Sequence, residues 1–409
     1  MTDGTFDIAI VGGGMVGASL AVALEGLGCR IAVVESVPHD AAAQPSFDER
    51  TTALSNGSRR ILETLGVWPA LSAAASPIAK IHVSDRGRFG FARVDAAQQG
   101  LAAMGYVVPN RALGSALWST LAGRGDVEVF CPAKVVRVSP QERAVELAIE
   151  TKGAESTLCA RLVVAADGAQ SVVRSAFGVA AEVRDYEQTA VITTILPQRF
   201  HEHVAYERFT EDGPLALLPL KDGRCTLVLT LAPTQAKAAL AWSDEEFLAE
   251  VQRRFGFRLG RFLKVGRRVP YPLSLTRAER TSAGRCVIIG NAAQGLHPVA
   301  GMGFNLGLRD VASLAELCAE QRGAGEADLG TGRLVADYDA WRAADRGSII
   351  AFTDGLVRIF SSPLGAVRAF RNLSLLAFDI LPLAKDALSR LSTGASGRIP
   401  KLARGVTLR

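Results

Sequence analysis

The chain has 409 residues, of which 48% are hydrophobic and 21% charged, and its net charge is +5. That length exceeds the roughly 250 to 300 residues one core supports, so two interlocked domains are expected. The composition excludes a disordered chain.

FDIAIVGGGMVGASLAVALEGLGCRIAVVES, near the start, predicts a buried strand, a glycine turn, a helix and a second apolar strand ending at Glu35. Its leading flank holds Asp3 and Asp7 and no Lys or Arg, which argues against a signal peptide. Gly12, Gly14 and Gly17 are assigned to the turn, to close approach of backbone to a pyrophosphate, and to tight packing of helix on strand. The helix N-terminus then faces the phosphates, and Glu35, 18 residues beyond Gly17, is placed to accept ribose hydroxyls. Glycine turns also occur for packing alone, but the strand, helix and acidic residue around this one favour dinucleotide binding.

DERTTALSNGSRRILETLGVW reads as an extended basic loop and then a helix from about Ser55. Arg50 there is a candidate phosphate contact; its alternative is an ion pair with Asp48 or Glu49. NRALGSALWSTLAG predicts a capped helix from Asn110, with Arg111 in a first turn where a cation needs an anion nearby. LVVAADGAQSVVR delivers Asp167 and Gly168 to a second turn, which can grip a cofactor or be an ordinary capped β-turn. Short apolar runs between about Val183 and Pro272 predict a largely antiparallel sheet inserted into a discontinuous nucleotide domain. RCVIIGNAAQ then returns to the strand-and-turn pattern, and RGAGEADLGTGR near 322–333 reads as a surface loop.

Six scattered cysteines without CxxC spacing encode neither a disulfide framework nor a zinc site and point to a reducing cytoplasm. The pair His201 and His203 reads as part of a solvated loop, and no metal is expected. From Phe352 onward nine Lys or Arg stand against three Asp, among Leu, Phe and Ile, which suits a membrane surface or a protein partner better than nucleic acid. A helical cap packed on the nucleotide domain is the plainer reading of the same segment.

GGGMVG, ADGAQSVVR and GNAAQGLHPVAGMGFNLGLRD, in that order and spacing, resemble the three fingerprints of the single-component flavin-dependent aromatic hydroxylases, covering the chain to about residue 320. The third usually reads Gly-Asp-Ala-Ala-His in that family, whose Asp holds ribityl hydroxyls of FAD; here Asn291 and Gln294 replace the two polar positions. With the following His-Pro and Phe-Asn-Leu-Gly, this variant resembles the 2-polyprenyl-6-methoxyphenol hydroxylase branch of ubiquinone biosynthesis. The fold so implied is α/β: a discontinuous Rossmann-like FAD-binding domain (1–75, 101–182, 273–340), a mostly antiparallel substrate sheet (76–100, 183–272) and a basic, amphipathic C-terminal helical segment (341–409).

Gly301 and Gly303 permit close backbone approach to a flavin ring. A helix starting near Gly303, carrying Phe304, would aim main-chain amides around Asn305 and Leu306 at the reduced ring. The resemblance implies NADH or NADPH as electron donor, O₂ as co-substrate, and transfer of a flavin hydroperoxide oxygen to a polyprenylated phenol. It places the backbone of Pro298 beside that phenol, with His297 adjacent as either a turn residue or a proton carrier. Met302 stands where the branch commonly has Gln. A polyprenyl substrate implies a cytoplasmic enzyme peripheral to the inner membrane, meeting bilayer or pathway proteins through its basic end. A hydroxylase of small soluble aromatics and a non-catalytic FAD-bound subunit of a biosynthetic complex remain as alternatives.

Overall fold

The protein is described by a computed structural model that covers residues 4–361 and 398–409, apart from 39–40, 42–43, 45, 47, 49, 88–89, 123–124 and 298–300. Its first sheet is centred on buried strands that read as continuous apolar runs because both faces are covered, one by the helices of the main core and the other largely by the strands Lys134–Pro140 and Val145–Thr151. Phe6–Val11 lies between Ile31–Val34 and Ala154–Ala165, and Cys286–Ile288 and Val127–Phe130 flank them, all in parallel. The register aligns Val11 with Ala165 and Ala165 with Ile288, so three segments far apart in sequence end side by side. Amide bonds continue this edge: Ala166 N donates to Val11 O at 2.8 Å and Ile289 N to Ala165 O at 3.0 Å.

The helix Met15–Leu24 is buried from Gly17 onward and packs in the main core with Met302–Gly323. A second, nine-stranded sheet is antiparallel except where Val204–Thr210 runs parallel to Lys80–Asp85. Its longest strands, Ala181–Pro197 and Val269–Ala278, pair along ten residue positions and reach back to the first domain, where Arg277 aligns with Gln294. Thr51–Ser55, expected as a loop, is a strand in a small third sheet with Gly105–Pro109 and Ser76–Ile78. The helix after it starts at Asn56, capped by Ser55 Oγ accepting from Ser58 N at 3.1 Å.

Several sequence expectations need correction. Asn110 begins its helix but does not cap it; Pro109 holds the cap position, and the Asn110 carboxamide instead accepts a 2.7 Å bond from Thr52. His201 is buried, with Nε2 bonded to Leu220 O at 2.9 Å, because this turn is folded under the sheet edge and not left in water. The 322–333 stretch is partly helical: Met302–Gly323 runs into it and Gly332–Ser361 begins before its end, then crosses residue 340 without a break. The basic positions Arg368, Arg371 and Lys385 lie outside the described residues. The chain end returns to the first domain, where Leu402 and Ala403 are buried and Lys401 N donates to Glu316 at 2.6 Å.

Gly332–Ser361 is anchored by a buried ionic cluster. Arg342 and Asp310, each 1% exposed, meet at 2.8 Å, and Arg309 pairs with Asp345 at 2.8 Å. Removing one partner of such a pair strands an uncompensated charge, which typically costs about 3–5 kcal/mol. Asp310→Ala is therefore expected to lose about that much in denaturant unfolding; a loss below about 0.5 kcal/mol, typical of surface sites, would contradict the assignment.

Candidate active site

The three fingerprints meet at the carboxyl edge of the first sheet. Gly12 adopts φ +101°, and a Cβ there would stand 2.4 Å from Ala166 O, so the first turn is pressed against the second. A Cβ on Gly17 would stand 1.8 Å from Gly12 O, which fixes how closely the helix meets the turn. Gly14 is the helix N-cap and brings no side-chain cap, leaving the helix-end amides facing out. Glu35, 8% exposed, accepts from Gly13 N at 2.6 Å and Val37 N at 2.8 Å. Its carboxylate braces the glycine turn while keeping lone pairs for further donors.

In the second turn Gly168 has φ +84°. Asp167 accepts from Val173 N at 3.2 Å through Oδ2, while Oδ1 is buried and without a partner among the described residues. Burial raises its pKa. Arg174, 7% exposed, reaches across to Ala292 O at 2.7 Å and ties this motif to the third fingerprint.

In the third, Asn291 is exposed within the short 3₁₀ turn Gly290–Ala292. Gln294 is not a cofactor-facing substitute: it is 2% exposed, donating to Asp310 at 2.7 Å and accepting from Arg346 at 2.8 Å. Gly301 is the N-cap of the following helix, in the left-handed region at φ +61°, and a Cβ on it would meet Ala53 Cβ at 3.2 Å. Gly303 faces open space within 4 Å among the described residues, and Phe304 beside it is half-buried.

The helix begins at Met302, so the amides of Met302, Gly303 and Phe304 point out of its end. Leu306 lies one turn in, its amide committed to the helix and its side chain buried with Met302 and Ile349. Met302 is accordingly a core residue and not an edge contact. Asn305 works through its side chain, donating to Ala53 O at 2.8 Å and Gly301 O at 2.7 Å while accepting from Ser55 N at 2.8 Å.

Arg50 makes the ion pair foreseen as its alternative, 2.6 Å from Asp48, and its guanidinium lies 4.7 Å over Tyr271. Arg111 is exposed in its helix's first turn. His297 is 1% exposed, with Nε2 3.2 Å from Gln188 Oε1 and its ring 5.1 Å from Tyr186; burial lowers its pKa from 6.5 to about 4. It is therefore neutral near pH 7. Pro298 lies outside the described residues. Gly13, Asp310 and Arg346 were not singled out in the sequence, and Arg174, which reads there as an exposed helix residue, is buried; the Arg-Asp dipeptide ending the third fingerprint is the one local signal that marks Asp310.

A cofactor that is long, phosphate-bearing and rich in hydroxyls fits these residues. A crowded glycine turn opens onto a helix end, Asp167 presents an acceptor with no donor, and a second helix end opens beside Gly303. Comparison with known proteins agrees with this reading. A family model described as FAD binding domain matches residues 5–344. The chain is 38% identical over 411 aligned residues to ubiquinone hydroxylase UbiL of Rhodospirillum rubrum, covering 99% of this chain and 94% of that protein. It is 32% identical to the 3-demethoxyubiquinol 3-hydroxylase of Escherichia coli, covering 96% of this chain and all of the relative. Among solved structures, p-nitrophenol 4-monooxygenase from Pseudomonas putida superposes with a TM-score of 0.78 at 20% identity, over 96% of this chain and 99% of the other. The Pseudomonas aeruginosa protein PqsL, in complex with 2-aminobenzoylacetate, gives 0.76 at 21% identity, over 91% and 100%. At those identities the structural likeness is one of fold.

Helix propensity alone says that Gly17→Ala should stabilise by about 0.5–1 kcal/mol, whereas the 1.8 Å approach to Gly12 O says that it must displace the turn. We expect loss of bound flavin and destabilisation of about 1–3 kcal/mol by denaturant titration; a variant as stable and as yellow as wild type would contradict the packing. His297 binds its proton less readily folded than unfolded, so the stability it contributes is complete above pH 6.5 and is lost as pH falls toward about 4. Relative to His297→Asn, the wild type should weaken across that window; parallel pH profiles would contradict its burial as a neutral ring.

Proposed function

The chain belongs to the FAD binding domain family, and from that premise we infer that it is an FAD-dependent monooxygenase hydroxylating an aromatic ring in ubiquinone biosynthesis. The observation that carries the reading is the end-to-end alignment with ubiquinone hydroxylases, with 94–100% of each relative covered. When bound, FAD supplies the chemistry of accepting electrons from NADH or NADPH and activating O₂ for transfer of one oxygen atom to the ring.

The residues divide the work of holding that cofactor. The turn through Gly12 and Gly14, with the helix end behind it, holds the pyrophosphate, Gly17 keeps the helix close, and Glu35 takes ribose hydroxyls. Arg111 is retained as a phosphate contact, while Arg50, engaged with Asp48 and Tyr271, acts by fixing the wall between the domains. Asp167, in the turn with Gly168, and exposed Asn291 receive ribityl hydroxyls, the first through its unpartnered oxygen. Gly301 and Gly303 let the ring approach, and the amides of Met302, Gly303 and Phe304 face its pyrimidine edge. Asn305 and Leu306 hold that helix end in place from behind.

The substrate is a polyprenylated phenol, whose own hydroxyl activates the ring, so no protein nucleophile is required. The backbone of Pro298 is assigned to the phenol, and His297, neutral and bonded to Gln188, to shaping this turn or passing a proton. Among the described residues no helix is long and apolar enough to cross a membrane. A bilayer-dissolved substrate is met at the membrane surface in this reading, and the basic C-terminal segment is assigned to anionic lipid or to other proteins of the pathway. The test is complementation of bacterial strains each lacking one ubiquinone ring hydroxylase, with quinone intermediates followed by mass spectrometry. Restored ubiquinone and disappearance of one phenolic intermediate are expected; rescue of no strain would overturn the reading.

A further inference from the structure

The nine-stranded sheet has two unlike faces. On one, Val191, Leu217, Leu227 and Leu229 are fully buried under the helices Pro233–Ala241 and Asp244–Phe255. On the other, the register pairs Glu207 with Ala216, Ala216 with Val228 and Val228 with Ile192, setting four side chains in one row across four strands, about 5 Å apart. All four are partly exposed, and Ala216, Val228 and Ile192 alternate with buried neighbours. This face looks toward the first domain: Thr226 Oγ1 accepts from Thr51 Oγ1 at 3.0 Å, and Ala205 and Leu218 share a core with Ala53 and Met104. Ala53 is also where Gly301 makes its close approach, 3.2 Å from a Cβ built there. The row thus lines the cleft between the sheet and the helix end assigned to the flavin.

Glu207 is the ionisable member of an otherwise apolar row, and among the described residues its carboxylate has neither a hydrogen-bond nor an ion-pair partner. Burial raises its pKa to about 7. Asp85, diagonal to it on the neighbouring strand, is only 6% exposed, and Arg208 points to the opposite face, where it bonds Ser84 and Arg254 O. A partly exposed carboxyl without a protein partner on this face keeps its lone pairs open to a donor arriving with a ligand.

We propose that Glu207 is a specificity-determining residue of this site, accepting a hydrogen bond from the ring hydroxyl of the substrate and turning away aromatic rings that carry a carboxylate. The substrate class is thereby narrowed to neutral phenols with an apolar substituent along Ala216, Val228 and Ile192. This rests on the hydroxylase reading above. Removing a hydrogen bond to a charged acceptor changes affinity by about tenfold or more, and the two charges of a mismatched pair repel at close range.

The test is equilibrium binding of a short-chain prenylphenol, its methyl ether and an equally sized aromatic carboxylate to the FAD-loaded protein, read from the flavin absorption at about pH 8.5, where a carboxyl of pKa about 7 is charged. Wild type is expected to favour the phenol over the ether by about tenfold or more and to reject the carboxylate. Glu207→Leu should bind phenol and ether alike, while Glu207→Gln, which keeps an acceptor without charge, should keep the phenol preference and admit the carboxylate. Unchanged selectivity in both variants, or a wild type that does not distinguish phenol from ether, would overturn the role of Glu207 alone. A wild type that binds neither phenol nor ether would overturn the hydroxylase reading and the proposal with it. Should Glu207→Leu fail to fold, admission or rejection of the carboxylate by Glu207→Gln decides the matter.

Discussion

The carboxylate of Asp310 is the constraint on which the site depends. Fully buried, it accepts from Gly290 N at 3.1 Å, Gln294 Nε2 at 2.7 Å and Arg342 Nε at 2.8 Å. One side chain thereby fixes the turn of the third fingerprint, the helix that begins at Met302 and the helix Gly332–Ser361. Arg346 closes the arrangement by bonding Gln294 Oε1 at 2.8 Å. An apolar packing of the same volume could be as stable, but a network of directional bonds permits fewer alternative registers. A cofactor cradle made largely of backbone needs that uniqueness, since glycines carry no side chains to correct a misplaced turn.

The second constraint is the pair of long strands, Ala181–Pro197 and Val269–Ala278. Their pairing begins in the first domain, at Ala181 with Ala278, and ends within the nine-stranded sheet, at Ile192 with Val269. The wall opposite the helix end at Gly301 is thus set by backbone pairing on both sides of a bulge at Tyr186 and Glu187, and not by a flexible linker. On the sheet's inner face Glu207 stands in a row otherwise made of Ala216, Val228 and Ile192, so recognition of a water-poor substrate there rests on few polar groups.

The glycine fingerprints were legible in the sequence because each reports a local backbone requirement: positive φ at Gly12, Gly168 and Gly301, and contact at Gly17. The parallel core was legible for the same local reason, as apolar runs ending in turns. Partnerships across long separations were not. Gln294 occupies a position that the resemblance assigns to the cofactor, yet its bonds go to Asp310 and Arg346, 16 and 52 residues away. Arg50 had both a phosphate and neighbouring carboxylates as plausible anions, which sequence alone does not rank; it lies 2.6 Å from Asp48. Leu306 was expected to offer its amide, but a helix start one residue earlier places it inside the ladder. His201 looked solvated because nothing in its neighbours reveals that the Leu220 carbonyl folds over it.

The central claim is oxygen transfer to a phenolic ring by this FAD-loaded chain, and oxygen-18 labelling tests it most directly. Incubation with NADH or NADPH, oxygen-18 gas and a short-chain prenylphenol should yield a hydroxylated ring carrying one labelled atom, with cofactor oxidation stimulated by the phenol. Nicotinamide oxidation that gives only hydrogen peroxide, or a product whose new oxygen comes from water, would contradict it.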